Sequence, residues 1–385
     1  MKVNFFDLTE QYEQIKEELT PAINKIFNTQ RFILGDNVFR FEEAFAKYCG
    51  TKYCIAMSSG TDALLASLMA LEIGSGDEVI LPNFTFFATA GVVSRLDAKP
   101  VFVDVDKESY LISDEEIAKA VTSKTKAIVP VHIFGQCADI EKIKLVAGDI
   151  PIIEDSAQGV GAEYKDGSKA GSLGLMGCFS FYPTKNLGGA GDSGAITTND
   201  EALYNKLIKM RNHGMSPKYY HSFIGGNFRM DELQAAVLNI KLSYIEKWNN
   251  LRRINHNLYR KYFIDQELVS IDKQNTLSTE NNVILPYRKY AECGIINYHI
   301  FHQYCVLVNK RDELRKFLLD NDIETDIYYP VPLHKQECFS YFNYNDADFP
   351  NTNYICNNIL ALPIYPELSE TQIMYVVDKI KEFYK

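Results

Sequence analysis

The sequence is poor in the features that mark membrane proteins, disulfide scaffolds and zinc modules. Its eight cysteines are scattered, with no CxxC pair and no zinc spacing, so we expect reduced thiols and no metal site. No run approaches about 18 uninterrupted apolar residues, the length that a membrane-spanning helix needs. The amino terminus becomes charged at once, so no signal peptide is predicted. These absences together predict a cytoplasmic protein.

A surplus of basic charge is also absent. The 40 Lys and Arg residues are outnumbered by 50 Asp and Glu residues, and the net charge is −10. This balance argues against a protein that binds nucleic acid or an anionic membrane surface. An anionic substrate would therefore be held by local groups rather than by the field of the whole protein.

The chain does have enough hydrophobic material for two domains. Hydrophobic residues make up 46% of its 385 residues, and this length favours one large and one small domain. From residue 50 to 200, short strand-like runs alternate with helical ones, which predicts βαβ units and a largely parallel sheet covered on both faces. We place a large domain with an amino-terminal helix at 1–250 and a small α/β domain at 251–385.

The second half of the chain has a different pattern. Residues 230–263 predict one long helix that links the two domains. Residues 299–308 and 324–329 have the pattern of strands, and the helical runs that follow them belong to the same small domain. Residues 338–358 are rich in Asn and Tyr and predict an irregular loop.

Polar residues follow the predicted strands of the first half at or near their carboxyl ends. Ligands of parallel sheets bind at that edge, so we expect these side chains to gather around one site. They are Ser59, Asn83, Asp104, His132, Asp155 and Ser180.

Two residues at this edge carry complementary chemistry. Asp155 ends the apolar run IIED, and Lys185 follows a second strand-like run in a glycine-rich stretch. An ordinary surface lysine does not explain that setting. An acid able to meet a pyridinium nitrogen and an amine able to form a Schiff base together predict pyridoxal phosphate (PLP) chemistry.

The segment 58–71 begins with small polar residues and Gly60, then runs into an apolar helix. A serine at such a place is usually only an N-cap. The same geometry presents backbone N–H groups and the positive end of the helix dipole to a phosphate. With Lys185 and Asp155 in the same sheet we favour the phosphate role. No GxxxxGK is present, so an NTP-binding P-loop is not expected.

The segment FTFFATA, residues 84–90, carries three aromatic rings before a helix. Such rings usually pack in the core. One of them at a strand end could instead stack on a flat pyridine ring, and we choose Phe86, although Phe84 and Phe87 have the same chemistry.

The order of the motifs resembles one family. The strings SSGTDALLASLMAL, PNFTFFATA, PVHIFGQCADI, IIEDSAQGVGAEY, FSFYPTKNLG, GGNFRMDELQAA and YYPVPLHKQ cover almost the whole chain. They are similar, in this order, to the DegT/DnrJ/EryC1/StrS family of PLP-dependent aminotransferases of nucleotide-linked keto-sugars. The resemblance implies PLP-dependent transferase fold type I, which is aspartate-aminotransferase-like. It also implies a homodimer with shared active sites.

The resemblance assigns a role to each matching residue. Lys185 would hold PLP and move protons during catalysis. The other implied cofactor contacts are Asp155 at the pyridine nitrogen, Gln158 at the phenolic oxygen, Phe86 on the ring face, Gly60, Thr61 and Ser180 at the phosphate, and Asn227 reaching the phosphate of the neighbouring subunit's cofactor.

Substrate contacts are less well defined. The family often contacts substrate near Tyr329 and His334, for which packing is the alternative, and Tyr182 is a further candidate. Arg31 and Arg229 are candidates for the sugar diphosphate, and salt bridges would explain them equally well.

Two positions depart from the common family pattern. Met57 stands where many members have asparagine, so one polar contact near the cofactor is missing. The stretch GGAGDSGA, with Asp192, resembles the subgroup that aminates carbon 3 of dTDP-linked 3-keto-6-deoxyhexoses.

The prediction is therefore an aminotransferase that makes a 3-amino sugar from a dTDP-linked 3-keto-6-deoxyhexose for lipopolysaccharide or another glycan, with L-glutamate as donor. A 4-keto-sugar aminotransferase of the same family is the alternative. A related dehydratase would have histidine in place of Lys185. A non-catalytic relative would have lost anchors such as Asp155 and Gln158.

Overall fold

The computed structural model describes residues 1–269 and 282–385. The strands of the larger sheet are β1 (Tyr53–Met57), β2 (Glu78–Pro82), β3 (Lys99–Val103), β4 (Thr125–Ile128), β5 (Ile153–Asp155), β6 (Met176–Ser180) and β7 (Gly194–Thr198). Those of the smaller sheet are β8 (Val283–Ile284), β9 (Tyr304–Val308) and β10 (Ile359–Leu362).

The helices of the described residues are α1 (Thr9–Thr29), α2 (Asp36–Cys49), α3 (Gly60–Ala70), α4 (Ala88–Arg95), α5 (Asp114–Ala120), α6 (Ile140–Ala147), α7 (Glu201–Met210), α8 (Glu232–Leu242), α9 (Ile245–Asp265), α10 (Arg311–Asp320), α11 (Pro350–Asn358) and α12 (Glu370–Tyr384). Short 3-10 turns lie at Ile133–Gly135, Leu333–Lys335, Glu337–Phe342 and Asp346–Asp348.

The larger sheet is mixed and mostly parallel. Strands β3-β2-β4 and β5-β6-β7-β1 form two hydrogen-bonded groups, and parallel bridges from Ile128 to Ile152 and from Val131 to Asp155 join them at β4 and β5. Strand β7 runs antiparallel to both of its neighbours, β6 and β1. The sheet agrees with fold type I and confirms the predicted parallel architecture.

Both faces of this sheet are covered, as the strand pattern predicts. Along β2, Val79 and Leu81 join a core beneath α3 and α4, whereas Ile80 joins a second core beneath α5 and α6. Successive side chains of a strand point to opposite faces, so a continuous apolar run requires helices on both sides.

Polar caps set where several helices begin. Ser59 accepts the N–H of Asp62 at the start of α3, and Ser113 accepts the N–H of Glu116 at the start of α5. Ser369 forms a capping box at α12. Each such bond satisfies a backbone N–H that the first helical turn leaves without a partner.

The prediction of one helix over 230–263 is wrong. Helix α8 ends at Leu242 and α9 begins at Ile245. The N–H and hydroxyl of Ser243 both donate to the carbonyl of Ile240, which closes a tight turn. Helix α8 packs on α1 and α2, and α9 on α12, so the turn lets one apolar run serve two packing partners.

Two further predictions need correction. Residues 324–329 form no strand; Asp326 alone makes a bridge there, to Ala361 of β10. The loop predicted over 338–358 contains α11. Its first turn begins at Pro350, whose φ suits that position, and Asp104 accepts the N–H groups of Asn351 and Thr352. The helix is not evident from its Asn- and Tyr-rich sequence because the residue that caps it, Asp104, follows the distant strand β3.

The domain boundary placed at residue 250 stays a prediction. It lies inside α9, which spans Ile245–Asp265. Val3 pairs with Ile323 of the carboxy-terminal half, so the amino terminus contacts the predicted small domain.

The eight cysteines form no disulfide; six are buried, and Cys293 and Cys338 are exposed. None of the helices that the structure describes is long and apolar enough to cross a membrane.

Candidate active site

A cavity of about 650 Å³ opens at the carboxyl edge of the larger sheet. Three of the six predicted strand-end residues line it: Ser59, Asp155 and Ser180. Most of the proposed cofactor residues meet there: Gly60, Thr61, Phe86, Asp155, Gln158, Ser180 and Lys185. Tyr182, Tyr329 and Asp192 line the same cavity. Parallel strands with helical connections bring these distant segments to one edge.

The other three strand-end residues support the fold. Asn83 bonds to His334, Asp104 caps α11, and His132 pairs with the buried Glu154. A polar residue at a strand's end is therefore an incomplete sign of a ligand site.

The start of α3 forms the part of the cavity that suits a phosphate. Ser59 uses its hydroxyl as the N-cap, while Gly60 and Thr61 begin the helix, whose first N–H groups have no partner within it. A Cβ atom on Gly60 would lie 2.6 Å from the Cβ of Ser180, so glycine permits this close approach. Ser59 can therefore act as the N-cap of α3 while the first backbone N–H groups of the helix remain available to a phosphate.

Asp155 lines the cavity and is 5% exposed. Its Oδ2 accepts the hydroxyl of Thr89 at 2.8 Å, and its Oδ1 accepts the N–H of Ala157 at 3.1 Å. Burial raises the pKa of this carboxyl, and these bonds and the charge of Lys185 oppose that effect. A protonated pyridine nitrogen would supply a positively charged partner that stabilises this carboxylate.

Lys185 faces the same cavity. Burial lowers the pKa of its amine from 10.5 to about 8, against the attraction of Asp155. Among the described residues, no side chain forms a hydrogen bond or an ion pair with this amine. The unprotonated amine, which is the nucleophile for a Schiff base, is therefore much more populated near neutral pH than in a free lysine.

Gln158 is oriented by the backbone. The N–H of Phe134 donates to its Oε1 at 2.6 Å, and its Nε2 donates to the hydroxyl of Tyr329 at 3.1 Å. Because the oxygen accepts from the backbone and one amide N–H donates to Tyr329, the second amide N–H remains for the cavity. Such a donor suits a phenolic oxygen.

Of the three aromatic rings in residues 84–90, Phe86 is the one that lines the cavity, as its predicted stacking role requires. Phe86 lines the cavity and is 58% exposed, whereas Phe84 is buried against Tyr110 and Phe134. Phe87 stacks on Phe339 outside the cavity. The position of Phe86 is compatible with stacking on a ring, and that role stays a prediction.

His334 does not reach the cavity. Its Nδ1 bonds to the amide of Asn83 at 2.7 Å and its Nε2 to Asp346 at 3.0 Å, and the side chain is buried against Phe349. These contacts agree with the packing alternative, and the substrate contact of His334 stays a prediction.

The remaining candidates lie outside the cavity of their own chain. Asn227 is exposed, and Arg229 donates to the side chain of Asn212. Arg31 lines a separate cavity with Lys25 and Arg40. Their proposed roles need a second subunit, and they stay predictions.

Sequence reasoning missed several residues of the site, and two of them bear on its chemistry. Thr89, which bonds to Asp155, stands in the segment 84–90 that was interpreted for its rings alone. His302, which lines the cavity, lies on a segment of the carboxy-terminal half. The spacing of Thr85 and Thr89, one helical turn apart, was a usable signal; His302 had none, because its approach to Lys185 is a tertiary contact.

The residues present fit PLP as a group. A helix start suits its phosphate, a buried carboxylate suits its ring nitrogen, an amide donor suits its phenolic oxygen, and a low-pKa amine suits its aldehyde. Among the described residues, no group of three or more His, Cys, Asp or Glu side chains could hold a metal ion.

Comparison with known proteins agrees with this geometry. The DegT/DnrJ/EryC1/StrS aminotransferase family matches residues 13–381. The pleiotropic regulatory protein of Geobacillus stearothermophilus is 43% identical over 100% of this chain and 99% of its own. The UDP-N-acetyl-3-dehydro-alpha-D-glucosamine 3-aminotransferase of Acidithiobacillus ferrooxidans is 39% identical over 97% and 96%.

The dTDP-3-amino-3,6-dideoxy-alpha-D-galactopyranose transaminase of Aneurinibacillus thermoaerophilus is 38% identical over 99% of both chains. Among solved structures, S. venezuelae DesV in complex with a ketimine intermediate has a TM-score of 0.90 at 34% identity, covering 100% of this chain and 99% of that one.

Proposed function

The chain belongs to the DegT/DnrJ/EryC1/StrS aminotransferase family, and we propose that it aminates carbon 3 of a dTDP-linked 3-keto-6-deoxyhexose with L-glutamate as donor. It is a PLP-dependent sugar aminotransferase. The position, the nucleotide and the donor are the parts that need experiment.

Residues of the cavity divide the chemistry among them. PLP, when bound, supplies an electron sink that makes the α-hydrogen of the amino donor acidic. Asp155 would hold the ring nitrogen in its protonated form, which would strengthen that sink. Lys185 would hold the cofactor through its Nζ, and the freed amine would carry the proton that leaves the donor's α-carbon. The same residues act in reverse order on the keto-sugar, which predicts ping-pong kinetics.

Amination at carbon 3 is carried by one observation. The A. ferrooxidans and A. thermoaerophilus relatives differ in their nucleotide, yet both are named for a 3-amino product. The exposed carboxylate of Asp192 lines the cavity and bonds to none of the described residues, so it is available to a sugar hydroxyl. We choose dTDP over UDP because the motif with Asp192 resembles the dTDP subgroup.

A shared active site is supported by charge. Lys185 is the one Lys or Arg among the residues that line the described cavity, whereas the substrate carries a diphosphate. We propose that the chain forms a homodimer in which Asn227 and Arg229 complete the partner's site. We also propose that it acts in the cytoplasm, where its eight free thiols remain reduced.

The test is to supply purified protein with PLP, L-glutamate and one keto-sugar at a time. The matched substrates are dTDP-linked 3-keto-6-deoxyhexoses of both carbon-4 epimers, a UDP-linked 3-keto sugar and a dTDP-linked 4-keto sugar. NMR of the product identifies the carbon that carries nitrogen.

We expect the 3-amino dTDP-sugar. A 4-amino product would replace this proposal by its nearest alternative. A deoxygenated product would indicate a dehydratase. PLP binding without turnover of any sugar would favour a regulatory protein, as the name of the G. stearothermophilus relative suggests for that protein.

A further inference from the structure

One cavity residue has no part in the chemistry described so far. His302 lines the cavity beside Lys185 and is 5% exposed. Its backbone is fixed on both sides, because its N–H donates to Phe134 at 2.9 Å and its carbonyl accepts the guanidinium of Arg252 at 3.3 Å. The imidazole therefore has a defined position.

A chain of amides fixes the tautomer of this ring. The Nδ2 of Asn249 donates to the carbonyl of Val160 at 3.1 Å, so the Oδ1 of Asn249 is the acceptor for Asn186, at 2.7 Å. The amide nitrogen of Asn186 is thereby used, and also reaches the carbonyl of Ile300 at 3.3 Å. The Oδ1 of Asn186 consequently faces the Nδ1 of His302 at 3.0 Å and can only accept.

The proton of the neutral ring therefore lies on Nδ1, and Nε2 keeps its lone pair. Burial, and after it the positive charges of Lys185 and Arg252, lowers the pKa of His302 well below its usual 6.5, so the ring is neutral at physiological pH. The Nε2 atom bonds to none of the described residues and is not among their buried unpaired atoms. Since Nδ1 is turned toward Asn186, Nε2 is the ring atom open to the cavity.

We propose that His302 is a positioning residue for Lys185: once the donor has displaced the lysine from the cofactor, the freed amine donates a hydrogen bond to the Nε2 of His302. The bond would hold the amine at the carbons between which it moves a proton. Asn186 follows Lys185 in sequence, so the segment that carries the lysine also sets the tautomer of its acceptor. This inference rests on the proposed aminotransferase chemistry, but not on the identity of the sugar.

Two variants separate the proposed acceptor function of the Nε2 of His302 from the structural hydrogen bond of its Nδ1 to Asn186. In His302→Asn, the shorter amide reproduces Nδ1 and keeps the bond to Asn186 but lacks an acceptor at the place of Nε2. In His302→Gln, the longer amide reproduces Nε2 and gives up the bond to Asn186. A merely structural role predicts the opposite ranking of the two variants.

The first measurement needs neither cofactor nor substrate. Side-chain ¹⁵N NMR of the cofactor-free protein should show His302 protonated at Nδ1 and bare at Nε2. With ¹³Cε-labelled lysine, the pKa of Lys185 should fall in His302→Asn, because the cavity loses an acceptor to which the charged amine can turn. In His302→Gln the pKa should stay near that of the unchanged protein.

The second measurement is the single-turnover half-reaction of the PLP-loaded protein with L-glutamate and α-deuterated L-glutamate. We expect His302→Asn to slow this step roughly 10- to 100-fold at unchanged KM, with a larger isotope effect, since misplacing a reacting group has costs of this order. The single-turnover rate of His302→Gln should exceed that of His302→Asn by at least about half of this loss, on a logarithmic scale.

Three results would overturn the proposal. One is an Nε2-protonated ring in the cofactor-free protein. Another is a Lys185 pKa that is the same in both variants. The third is a rise in KM for glutamate with an unchanged rate, which would make His302 a substrate contact. A wrong sugar assignment would leave all three measurements unaffected, so the two failures are distinguishable.

Discussion

Glu154 and Asp155 are consecutive carboxylates on one strand, and they are used in opposite ways. Glu154 is fully buried and has four donors: the N–H groups of Gly171, Leu173 and Gly174, at 2.6 to 2.8 Å, and the Nε2 of His132 at 2.7 Å. Asp155 has two donors and faces the cavity with Lys185.

The difference is the number of donors each carboxylate has within the protein. Neighbouring side chains of a strand point to opposite faces, so one carboxylate meets a loop of backbone N–H groups and the other meets an open cavity. The first is satisfied by the fold and stabilises it. The second keeps capacity for a ligand, and its pKa is raised by burial. The following variants test this contrast.

Replacing the amine that faces Asp155 should have the largest effect on function. Lys185→Ala is expected to abolish turnover, a loss of at least about 1,000-fold, because it removes both the cofactor attachment and the proton carrier. The absorbance band of lysine-bound cofactor should disappear with it. Spectrophotometry and steady-state assays measure both, and full activity would refute the assignment.

Asp155→Asn should separate activity from stability. Loss of the charge at the ring nitrogen is expected to lower kcat roughly 100-fold. Burial raises the pKa of Asp155 above 3.8, so the folded protein loses stability as pH rises through that raised pKa, and near pH 7 the ionised carboxylate is a cost. The amide should therefore leave the free energy of unfolding of the cofactor-free protein equal or higher. A large loss of stability would contradict the contrast.

Glu154→Gln is the matched control on the other face. The new NH₂ group must face backbone donors, so the free energy of unfolding should fall by about 2 kcal/mol or more. Urea unfolding at pH 7 measures this loss. Activity per folded molecule should change far less than in Asp155→Asn, and an equal loss of kcat would make the two carboxylates functionally alike.

The pH dependence of stability offers a finer test of the cavity. The pKa of Lys185 is lowered to about 8 from 10.5, so between these values the unfolded chain binds more protons and stability rises with pH. Lys185→Met should stabilise the cofactor-free protein near pH 7, by at most about 3 kcal/mol, and the gain should vanish above pH ~10.5. A gain that is independent of pH would contradict this prediction.

The smallest expected effect is on PLP affinity and comes from the aromatic side chain predicted to stack on the pyridine ring. Phe86→Leu should weaken PLP binding roughly fivefold, the equivalent of about 1 kcal/mol of ring stacking. Phe87→Leu, whose ring stacks on Phe339 instead, should lower thermal stability and leave PLP affinity unchanged. Equilibrium titration with PLP distinguishes them, and equal affinities would remove Phe86 from the site.

Much of this architecture was predictable because its signals are local. The alternation of strands and helices and the cap at Ser59 both follow from short stretches of sequence. Predictions failed where a distant partner decides. Helix α11 takes its cap from Asp104, and the break before α9 reflects two different packing surfaces.

The sequence by itself determined the parallel sheet, the lysine and the acid, since a β-branched run ending in a carboxylate and a lysine among glycines are recognisable one segment at a time. Only the tertiary structure decided which neighbours give those groups their properties. It directed Glu154 toward a loop of backbone N–H groups and Asp155 toward the cavity. It also kept His334 out of the cavity and placed His302 in its lining. Burial and hydrogen-bond partners set the pKa and the tautomer of a side chain, and both depend on residues far apart in the chain.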